Sequence, residues 1–412
     1  MRSEDDTALA EVFKQHRPRV LAWLIGLTGD FDGAEEAFQD AVEVALRRWP
    51  RDGVPENPAG WLAVTARNRA TDQLRRKQRR AVKERSATAD LAGTAVDSLV
   101  LEDERLRLIF TCCHPALSLE ARVGLTLRTV AGLSTTEIAQ AFLVSEPTLA
   151  QRLVRAKRKI RTARIPYEVP APERLGERLQ GVLAVLYLIF NEGYAASNGE
   201  VLIRSELCEE AIRLARTLCT LMPSESEVRA LLALMLLQDS RRDARIDAEG
   251  ELILLPDQDR SRWNEAAIRE ALAELDQASR LGGPGPYFIQ AAIAAEHALA
   301  LEAEETDWPR IARLYGTLAR MTPSPVVELN RLVAVSMAEG PELALAGLLP
   351  LQEQLDGYSY FHATRADFLQ RMDRTHEAID AFTRALGLAG TETQRASLRR
   401  RIALLRAAGG TD

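Results

Sequence analysis

An all-α fold is predicted for this chain, with two small helical domains followed by a large helical-repeat domain. Apolar residues recur at helical spacing along most of the sequence, and the good helix formers Ala, Leu, Arg and Glu dominate it. Alternating, strand-like runs are scarce. The exception is residues 251–256, a short apolar run whose pattern fits a small hairpin or an extended loop.

The composition is that of a globular protein with two to four domains. Of the 412 residues, 46% are hydrophobic and 27% are charged. The acidic N-terminus lacks the apolar core of a signal peptide, and the longest apolar run, 181–190, is shorter than the about 20 residues that cross a bilayer. Four cysteines are too few for a disulfide scaffold in a chain of this length. We therefore expect a cytoplasmic protein without membrane contact.

The charge is divided unevenly along the chain. Residues 1–165 hold 27 basic and 22 acidic residues, a net charge of +5. Residues 166–412 hold the other 26 basic and 37 acidic residues, a net charge of −11, and the two sum to the overall −6. Such asymmetry is expected when one part of a protein binds a polyanion and the other does not.

Breaks in the helical pattern predict the domain boundaries. The first domain spans 7–85, with helices over 7–28, 31–49 and 58–82 and a loop rich in Pro and Gly over 50–58. The other segments are a small, polar linker over 86–98, a second domain over 99–164, a stiffer proline-rich link over 165–172, and a helical extension over 173–412.

The stretch from Thr135 to Arg161 predicts a helix-turn-helix. A first helix over 135–142 precedes a turn, and Ser145 is a good N-cap for a second helix over 146–163 because its hydroxyl can accept a free backbone N–H. Pro147 is tolerated in the first turn, where no backbone donor is needed. The residues predicted to face the core are Ile138, Ala139, Phe142, Leu149, Leu153 and Ala156.

The opposite face of the second helix is suited to DNA. From Arg152 to Arg164 there are seven basic residues and no acidic one. In a helix-turn-helix the N-terminal part of the second helix meets base edges while flanking Lys and Arg hold phosphates. A solvated amphipathic helix is the alternative interpretation. The residues predicted on this face are Thr148, Gln151, Arg152, Arg155 and Arg158.

The first domain carries one basic and one acidic surface. Nine basic and two acidic residues lie between Arg67 and Arg85. By contrast, the stretch from Asp32 to Glu43 predicts an acidic helix, whose inward residues are Ala34, Phe38, Ala41 and Val42. An acidic face would repel DNA and would suit a basic protein partner. A face that is simply solvated is the alternative interpretation.

The extension has the character of a helical repeat. Residues 360–386 predict two helices around a tight turn at Asp373-Arg374, the form of a tetratricopeptide unit with a period of about 34 residues. Similar helix pairs are predicted around 307–321 and 325–337.

Other polar clusters are candidate sites. The adjacent Cys112-Cys113-His114 favour packing over a metal site, because neighbouring cysteines on a helix do not readily share one ion. The stretch 187–197 reads either as a buried helix capped at Gly193 or as a binding site in the extension, with 257–263 completing that site or bracing a loop. The candidate residues of that site are Asn191, Glu192 and Tyr194. No catalytic, phosphate-loop or dinucleotide motif is present, so no enzyme, catalytic residue, metal or cofactor is predicted.

Three segments, in this order, resemble bacterial sigma-70 factors of the extracytoplasmic-function (ECF) type: GDFDGAEEAFQDAV, AGWLAVTARNRATDQLRR and GLSTTEIAQAFLVSEPTLAQRLVRAKRKIR. This likeness covers residues 10–163. The stretches CCHPALSLEARVGLTLR, LYLIFNEGYAAS, DQDRSRW and SPVVELNRLVAV resemble the ECF subgroup with a C-terminal tetratricopeptide-like extension, which extends it to essentially the whole chain.

The resemblance implies a role for each surface. The acidic helix would dock on the β′ clamp helices of RNA polymerase core through Glu35, Glu36, Gln39, Asp40 and Glu43. The 58–82 helix and the loop before it would read and help open the −10 element through Trp61, Asn68, Arg69, Asp72, Arg75, Arg76, Arg79 and Arg80. Trp49 and Trp61 would be available for unstacked bases, although Trp61 fits the core equally well. The second domain would contact the β flap and read the −35 element through Ser145, Thr148, Gln151, Arg152, Arg155, Lys157 and Arg158.

The sequence therefore predicts an alternative sigma factor that binds core RNA polymerase and directs it to specific promoters. Its acidic extension would modulate activity in cis, with a protein or small-molecule regulator bound there. The alternative is a helix-turn-helix regulator with a tetratricopeptide-like sensor that does not act as a sigma factor.

Overall fold

The structure, a computed structural model, divides the chain into two compact units, residues 1–188 and 189–412. The predicted linker lies outside the described residues except for Ser98. Regular secondary structure in the described part of the chain is helical, which confirms the all-α prediction. The described residues are 2–81, 98–142, 144–194, 205–246 and 253–409.

The helices of the first unit fall into two consecutive groups, which are described below under the predicted names of first and second domain. The first domain consists of α1 (Arg2–Thr28), α2 (Phe31–Asp52) and α3 (Pro58–Ala81). The second domain consists of α4 (Ser98–Cys112), α5 (Leu119–Leu125), a π-helical turn (Thr126–Ala131), α6 (Thr135–Ala141) and α7 (Glu146–Thr162). Helix α8 (Pro172–Tyr194) begins in the first unit, and its last residues, 189–194, belong to the second.

Local capping sets the ends of α2. Gly29 adopts a φ of 64°, and the Asp30 carboxylate accepts the Asp32 N–H at 3.2 Å, so the chain turns between α1 and α2 as predicted. The loop between α2 and α3 was predicted to begin at residue 50. This start is wrong, because α2 continues to Asp52. Pro50 removes a single donor from the last turn, and Gly53, with a φ of 81°, closes that turn by donating to the Trp49 carbonyl at 2.9 Å.

Small residues allow the helices of the first domain to pack closely. Ala34, Ala41 and Ala66 are fully buried where the three helices meet. Leu24 and Leu62 are fully buried beside them, and each such side chain stabilises the fold by roughly 1.5–3 kcal/mol. The acidic face of α2 is thus held on a rigid support.

The helix-turn-helix prediction is confirmed by α6 and α7. Ser134 and Glu137 form a reciprocal capping box, in which the Ser134 hydroxyl accepts the Glu137 N–H at 3.1 Å and the Glu137 carboxylate accepts the Ser134 N–H at 2.6 Å. Ser145 caps α7 by accepting the Thr148 N–H at 3.3 Å. The predicted core face is buried except for Phe142, which is only half-buried because it lies just past the end of α6.

The segment after α7 is bound to the rest of the first unit. The Tyr167 hydroxyl donates to the Ala22 carbonyl at 2.6 Å and to the Glu104 carbonyl at 3.1 Å. The Arg178 guanidinium donates to the Phe110 carbonyl at 2.7 Å. The beginning of α8 is therefore part of this unit's packing.

The second unit is built from helical hairpins. Its helices are α9 (Ser205–Leu221), α10 (Ser226–Asp239), α11 (Glu265–Leu281), α12 (Pro286–Leu299), α13 (Trp308–Met321), α14 (Pro325–Glu339), α15 (Pro341–Gly347), α16 (Gln352–Leu355), α17 (Ser359–Arg371), α18 (Thr375–Gly387) and α19 (Glu392–Gly409). The predicted pairs are confirmed as α13 with α14 and α17 with α18. Asp373, with a φ of 57°, makes the predicted tight turn between α17 and α18.

Buried polar contacts fix neighbouring hairpins. The Glu227 carboxylate of α10 accepts the Tyr287 and Phe288 N–H groups at 2.9 and 3.0 Å, so it caps α12 from another helix. A side chain on Gly285 would clash with that carboxylate. Next to the apolar run 251–256, whose first two residues lie outside the described ranges, Ile246 is a β-bridge residue and the Ile253 N–H donates to the Arg245 carbonyl at 2.8 Å, and a 3₁₀ turn follows at Leu255–Asp257.

Candidate nucleic-acid and polymerase interfaces

The outward face of α7 presents its polar side chains to solvent. Thr148, Gln151, Arg152, Arg155 and Arg158 are all exposed, whereas the apolar side chains of the opposite face are buried. With 3.6 residues per turn these five positions share one side of the helix. The arrangement therefore suits a helix that lies in a DNA major groove.

Val154 is an exposed residue of this face that the sequence pattern did not single out. It is 64% exposed, although the other apolar side chains of the helix, Leu149, Leu153, Ala156 and Ile160, are buried. The helical period could have predicted this exposure, because at 100° per residue Val154 lies between Arg158 and Arg161, away from the buried stripe. An exposed valine among groove-facing side chains can contact a thymine methyl group.

Lys157 has a different environment from the other residues of the predicted −35 set. Its ammonium group contacts Asp32 Oδ1 at 2.8 Å and Glu35 Oε2 at 3.0 Å, and its side chain is 14% exposed. Both carboxylates belong to α2 of the first domain. In this arrangement Lys157 binds protein rather than facing solvent with its neighbours.

The acidic face of α2 is divided in the same way. Glu36, Gln39 and Glu43 are exposed and Asp40 is half-buried. Glu35, by contrast, is 16% exposed and contacts three cations. We call Arg17, Asp32, Glu35, Arg128 and Lys157 the inter-domain ion-pair cluster.

Several cations outweigh the burial of Glu35. Glu35 accepts from Arg17 at 2.8 Å, Arg128 at 2.5 Å and Lys157 at 3.0 Å. Burial alone would raise the pKa of Glu35, but the charges of Lys157, Arg128 and Arg17 hold that pKa below its usual value. Asp32 and Glu35 likewise raise the pKa of Lys157 against its burial. Both groups of the Glu35–Lys157 pair are therefore charged at neutral pH.

The structure describes the side chains of only some of the predicted −10 residues. Asn68 and Arg69 are exposed on α3, and Trp61 is half-buried. Trp49 is 4% exposed and stacks on Phe13 with ring centroids 5.2 Å apart, so its predicted availability for bases is wrong in this arrangement. The side chains of Asp72, Arg75, Arg76, Arg79 and Arg80 lie outside the described residues.

The paired cysteines pack inside the second domain. Cys112 Sγ lies 3.3 Å from Thr129 Oγ1, and Cys113 Sγ lies 3.5 Å from Thr126 Oγ1. His114 turns away and accepts the Ala116 N–H at 3.1 Å. Across the described ranges, no group of three or more His, Cys, Asp or Glu is arranged to hold a metal ion. These contacts support the packing interpretation.

The thiols are expected to be unreactive in the folded protein. Burial raises the pKa of Cys112 to about 12 and that of Cys113 to about 11, and raises the pKa of both Cys208 and Cys219 to about 12. The thiolate fraction at pH 8 is then about one in a thousand or less. We expect no reaction with Ellman's reagent over minutes in native buffer and four thiols per chain in guanidinium. Rapid native reaction would contradict the packing described here.

The predicted extension site is largely involved in packing. The Tyr194 ring stacks on Phe190 with centroids 5.5 Å apart, and the Arg245 guanidinium carbon lies 3.7 Å from the Tyr194 ring centroid. Asn191 and Glu192 are half-buried. The expected helix end at Gly193 is wrong, because α8 continues through Tyr194. These contacts favour a structural role for Tyr194.

The stretch 257–263 braces a loop against α12. Arg260 donates to the carbonyls of His297 and Ala300 at 2.6 and 2.7 Å, and its guanidinium lies 5.0 Å from the Trp263 ring centroid. Asp259 caps the turn by accepting the Ser261 N–H at 3.0 Å. Of the two alternatives for this stretch, these bonds favour the brace.

The first unit thus combines an acidic helix face, a basic helix and a helix-turn-helix. In the part of the chain that the structure describes, no helix is both long and apolar enough to cross a membrane. The sigma-70 region 2 family matches residues 12–80, and the sigma-70 region 4 family matches residues 107–160. A family of unknown function, DUF6596, matches residues 178–279.

A curated relative covers nearly the whole chain. It is described as an uncharacterized protein, R00370, of Rhizobium meliloti (strain 1021), and it is 47% identical over 390 residues. The match covers 93% of this chain and 92% of the relative. The chain belongs to the ECF-like sigma-70 factors with a C-terminal extension. Such a protein has a non-enzymatic role in transcription initiation, with RNA polymerase core and promoter DNA as partners.

Proposed function

We propose that this chain is an alternative sigma factor that binds core RNA polymerase and directs it to promoters with particular −35 and −10 elements. The observation that carries the proposal is the pairing of two different surfaces in one unit: the exposed acidic residues of α2 and the exposed polar face of α7. A basic protein surface fits the first, and a major groove fits the second.

In the proposed division of roles, Glu36, Gln39, Asp40 and Glu43 dock on the β′ clamp helices, and the second domain lies at the β flap. The α3 helix, through Asn68, Arg69 and the basic residues that follow them, contacts the −10 element. Helix α7 reads the −35 element, with Gln151 at base edges and Arg155 at phosphate. These residue assignments rest on exposure and residue type together with the family.

The experiment is reconstitution with core polymerase free of other sigma factors. The purified chain and core are incubated with a library of promoter fragments, and transcripts are mapped to their start sites. The proposal predicts initiation at a defined subset of fragments that requires both chain and core. If initiation is absent although the chain binds the same fragments, the protein is instead a helix-turn-helix regulator.

We infer further that the extension modulates this activity in cis. Its net charge of −11 over residues 166–412 is opposite in sign to the basic helices of the first unit. The second unit also contains an open, polar cleft, which is lined by Ser205, Arg242, Asp243, Ile246 and Arg262. Because residues 165–188 pack within the first unit, a truncation that tests the extension should end after Tyr194 rather than after Arg164. Equal promoter-directed transcription by the truncated and full chains in all conditions would exclude regulation by the extension.

A further inference from the structure

Two arginines of the second unit lie against one tyrosine ring and, among the described residues, have no carboxylate partner. The guanidinium carbons of Arg245 and Arg241 lie 3.7 and 5.7 Å from the Tyr194 ring centroid. Arg245 is only 7% exposed, and Arg241 is half-buried. Burial lowers the pKa of Arg245, and the nearby charge of Arg241 lowers it further, although an arginine side chain stays charged at neutral pH. Two positive charges are therefore held close together in a partly dry environment.

Arginines of this unit that are less buried than Arg245 nevertheless pair with carboxylates. Arg229 contacts Glu274 at 2.7 Å, and Arg242 contacts Asp239 at 2.8 Å. A buried cation is costly unless an anion pairs with it and hydrogen bonds satisfy it. In the described ranges Arg245 has only the Tyr194 carbonyl and ring as partners. This difference points to an anion that a ligand supplies.

Buried polar atoms beside these arginines also have no hydrogen-bond partner among the described residues. They are the hydroxyl of Tyr194 and Nδ1 of His297. Burial, together with the charges of Arg241 and Arg260, lowers the pKa of His297 to about 4, so this imidazole lies near both arginines and is neutral at pH 7. Since most buried polar atoms are hydrogen-bonded, these groups can serve a polar ligand. We call Tyr194, Arg241, Arg245 and His297 the arginine–tyrosine cluster.

An open cleft lies beside the turn that carries the two arginines. Three of its lining residues fall within residues 242–246, next to Arg241 and Arg245 in the chain. A small molecule that enters this cleft is therefore close to the cluster. Arg245 is too buried to meet the surface of a macromolecule, and the net charge of −11 over residues 166–412 disfavours a polyanion such as DNA. Both observations favour a small ligand.

We infer that the arginine–tyrosine cluster binds the oxyanion group of a small acidic ligand, either a carboxylate or a phosphate. Arg241 and Arg245 pair with this group, because a planar guanidinium matches the geometry of both oxyanions. Tyr194 keeps its structural role and holds the guanidiniums by stacking. His297 forms a hydrogen bond with another polar group of the ligand. The consequence for transcription rests on the proposed modulation in cis, for which this ligand is the signal.

Calorimetric titration of the full-length chain, without polymerase or DNA, tests the inference. The probes are inorganic phosphate, pyrophosphate, acetate and citrate at constant ionic strength, so the two phosphates are compared with the two carboxylates. We expect saturable binding of at least one probe in the millimolar range or tighter. Arg241→Met should weaken that binding at least about tenfold, because a charge-assisted contact is lost. Arg280→Met, which changes an exposed arginine of α11, is the matched control and should bind like the wild type.

Thermal unfolding gives a second readout on the more buried arginine. The bound anion should raise the unfolding midpoint of the wild type, and the midpoint of Arg245→Met should not respond to it. If Arg245→Met does not fold, the titration of Arg241→Met decides. The inference is overturned if the wild type binds none of the four anions, if Arg241→Met binds them equally well, or if only a hexaglutamate peptide binds. Because polymerase is absent, such a result leaves the sigma function standing, whereas failed initiation with core polymerase leaves the anion site standing.

Discussion

Replacing both Glu36 and Glu43 by lysine is expected to weaken binding to core RNA polymerase by at least about 100-fold and to abolish promoter-directed transcription. The two residues lie seven positions apart on α2, are exposed, and therefore share one face of the helix. If this face docks on a basic surface, each substitution exchanges an attraction for a repulsion, and like charges brought together at an interface cost several kcal/mol. Glutamate and lysine have similar helix propensities, so α2 should remain intact.

A matched control separates docking from net charge. Glu353→Lys combined with Asp380→Lys makes the same change in charge at exposed positions of the second unit. Core affinity is measured by fluorescence anisotropy with the labelled chain, and folding by the thermal unfolding midpoint. We expect the control pair to bind core like the wild type. If both pairs weaken binding equally, the effect belongs to overall charge and the acidic face of α2 is not the docking surface.

Substitutions on α7 are expected to separate affinity from sequence preference. Arg155→Ala should weaken binding to all −35 sequences about equally and reduce the magnitude of the salt-dependence slope by about 1, because a phosphate contact releases counterions whatever the sequence. Gln151→Ala should instead relax the preference at one base pair, where a good contact provides about 1–3 kcal/mol of discrimination. Arg313→Ala, an exposed arginine in the second unit, is the control.

The measurement is a binding titration of the chain–core complex against a set of −35 duplexes that differ at single positions, repeated at several salt concentrations. Replacing each thymine by uracil in the same set of duplexes tests Val154, because uracil lacks the methyl group of thymine. If Val154 contacts a thymine methyl group, the replacement should weaken DNA binding by the wild type but leave binding by Val154→Ala unchanged. If Gln151→Ala leaves the −35 preference untouched, the proposed register of α7 in the groove is wrong.

Local patterns were sufficient to predict the helix-turn-helix. The Ser145 cap, the buried Leu149, Leu153 and Ala156 and the exposed Arg155 all follow from a 3.6-residue period and from capping chemistry. These features depend only on residues within a few turns of one another. The helical hairpins of the extension were predictable for the same reason.

Long-range contacts were not predictable in this way. The helical period places Lys157 about 100° from Arg158, but it does not reveal that the carboxylate partners of Lys157 lie 122 and 125 positions away in the sequence. Trp49 is buried against Phe13 by the packing of α1 on α2, which composition does not reveal. The contact between Arg245 and Tyr194 likewise joins residues 51 positions apart, which the local pattern around Gly193 does not reveal.

The proposed sigma function requires two separate DNA-reading surfaces to act together at a distance set by core polymerase. The most direct test compares promoter-directed transcription from a template with both elements at their native spacing and from one with five base pairs inserted between them. The insertion rotates one element by about half a turn of the duplex relative to the other. We expect transcription by the chain–core complex to be at least about tenfold lower from the template with the insertion. The −35 element itself is the same in both templates, so the affinity of the complex for a duplex that carries only this element serves as the unchanged reference. Equal transcription from the two templates would contradict the claim that this chain reads both elements as one unit with polymerase.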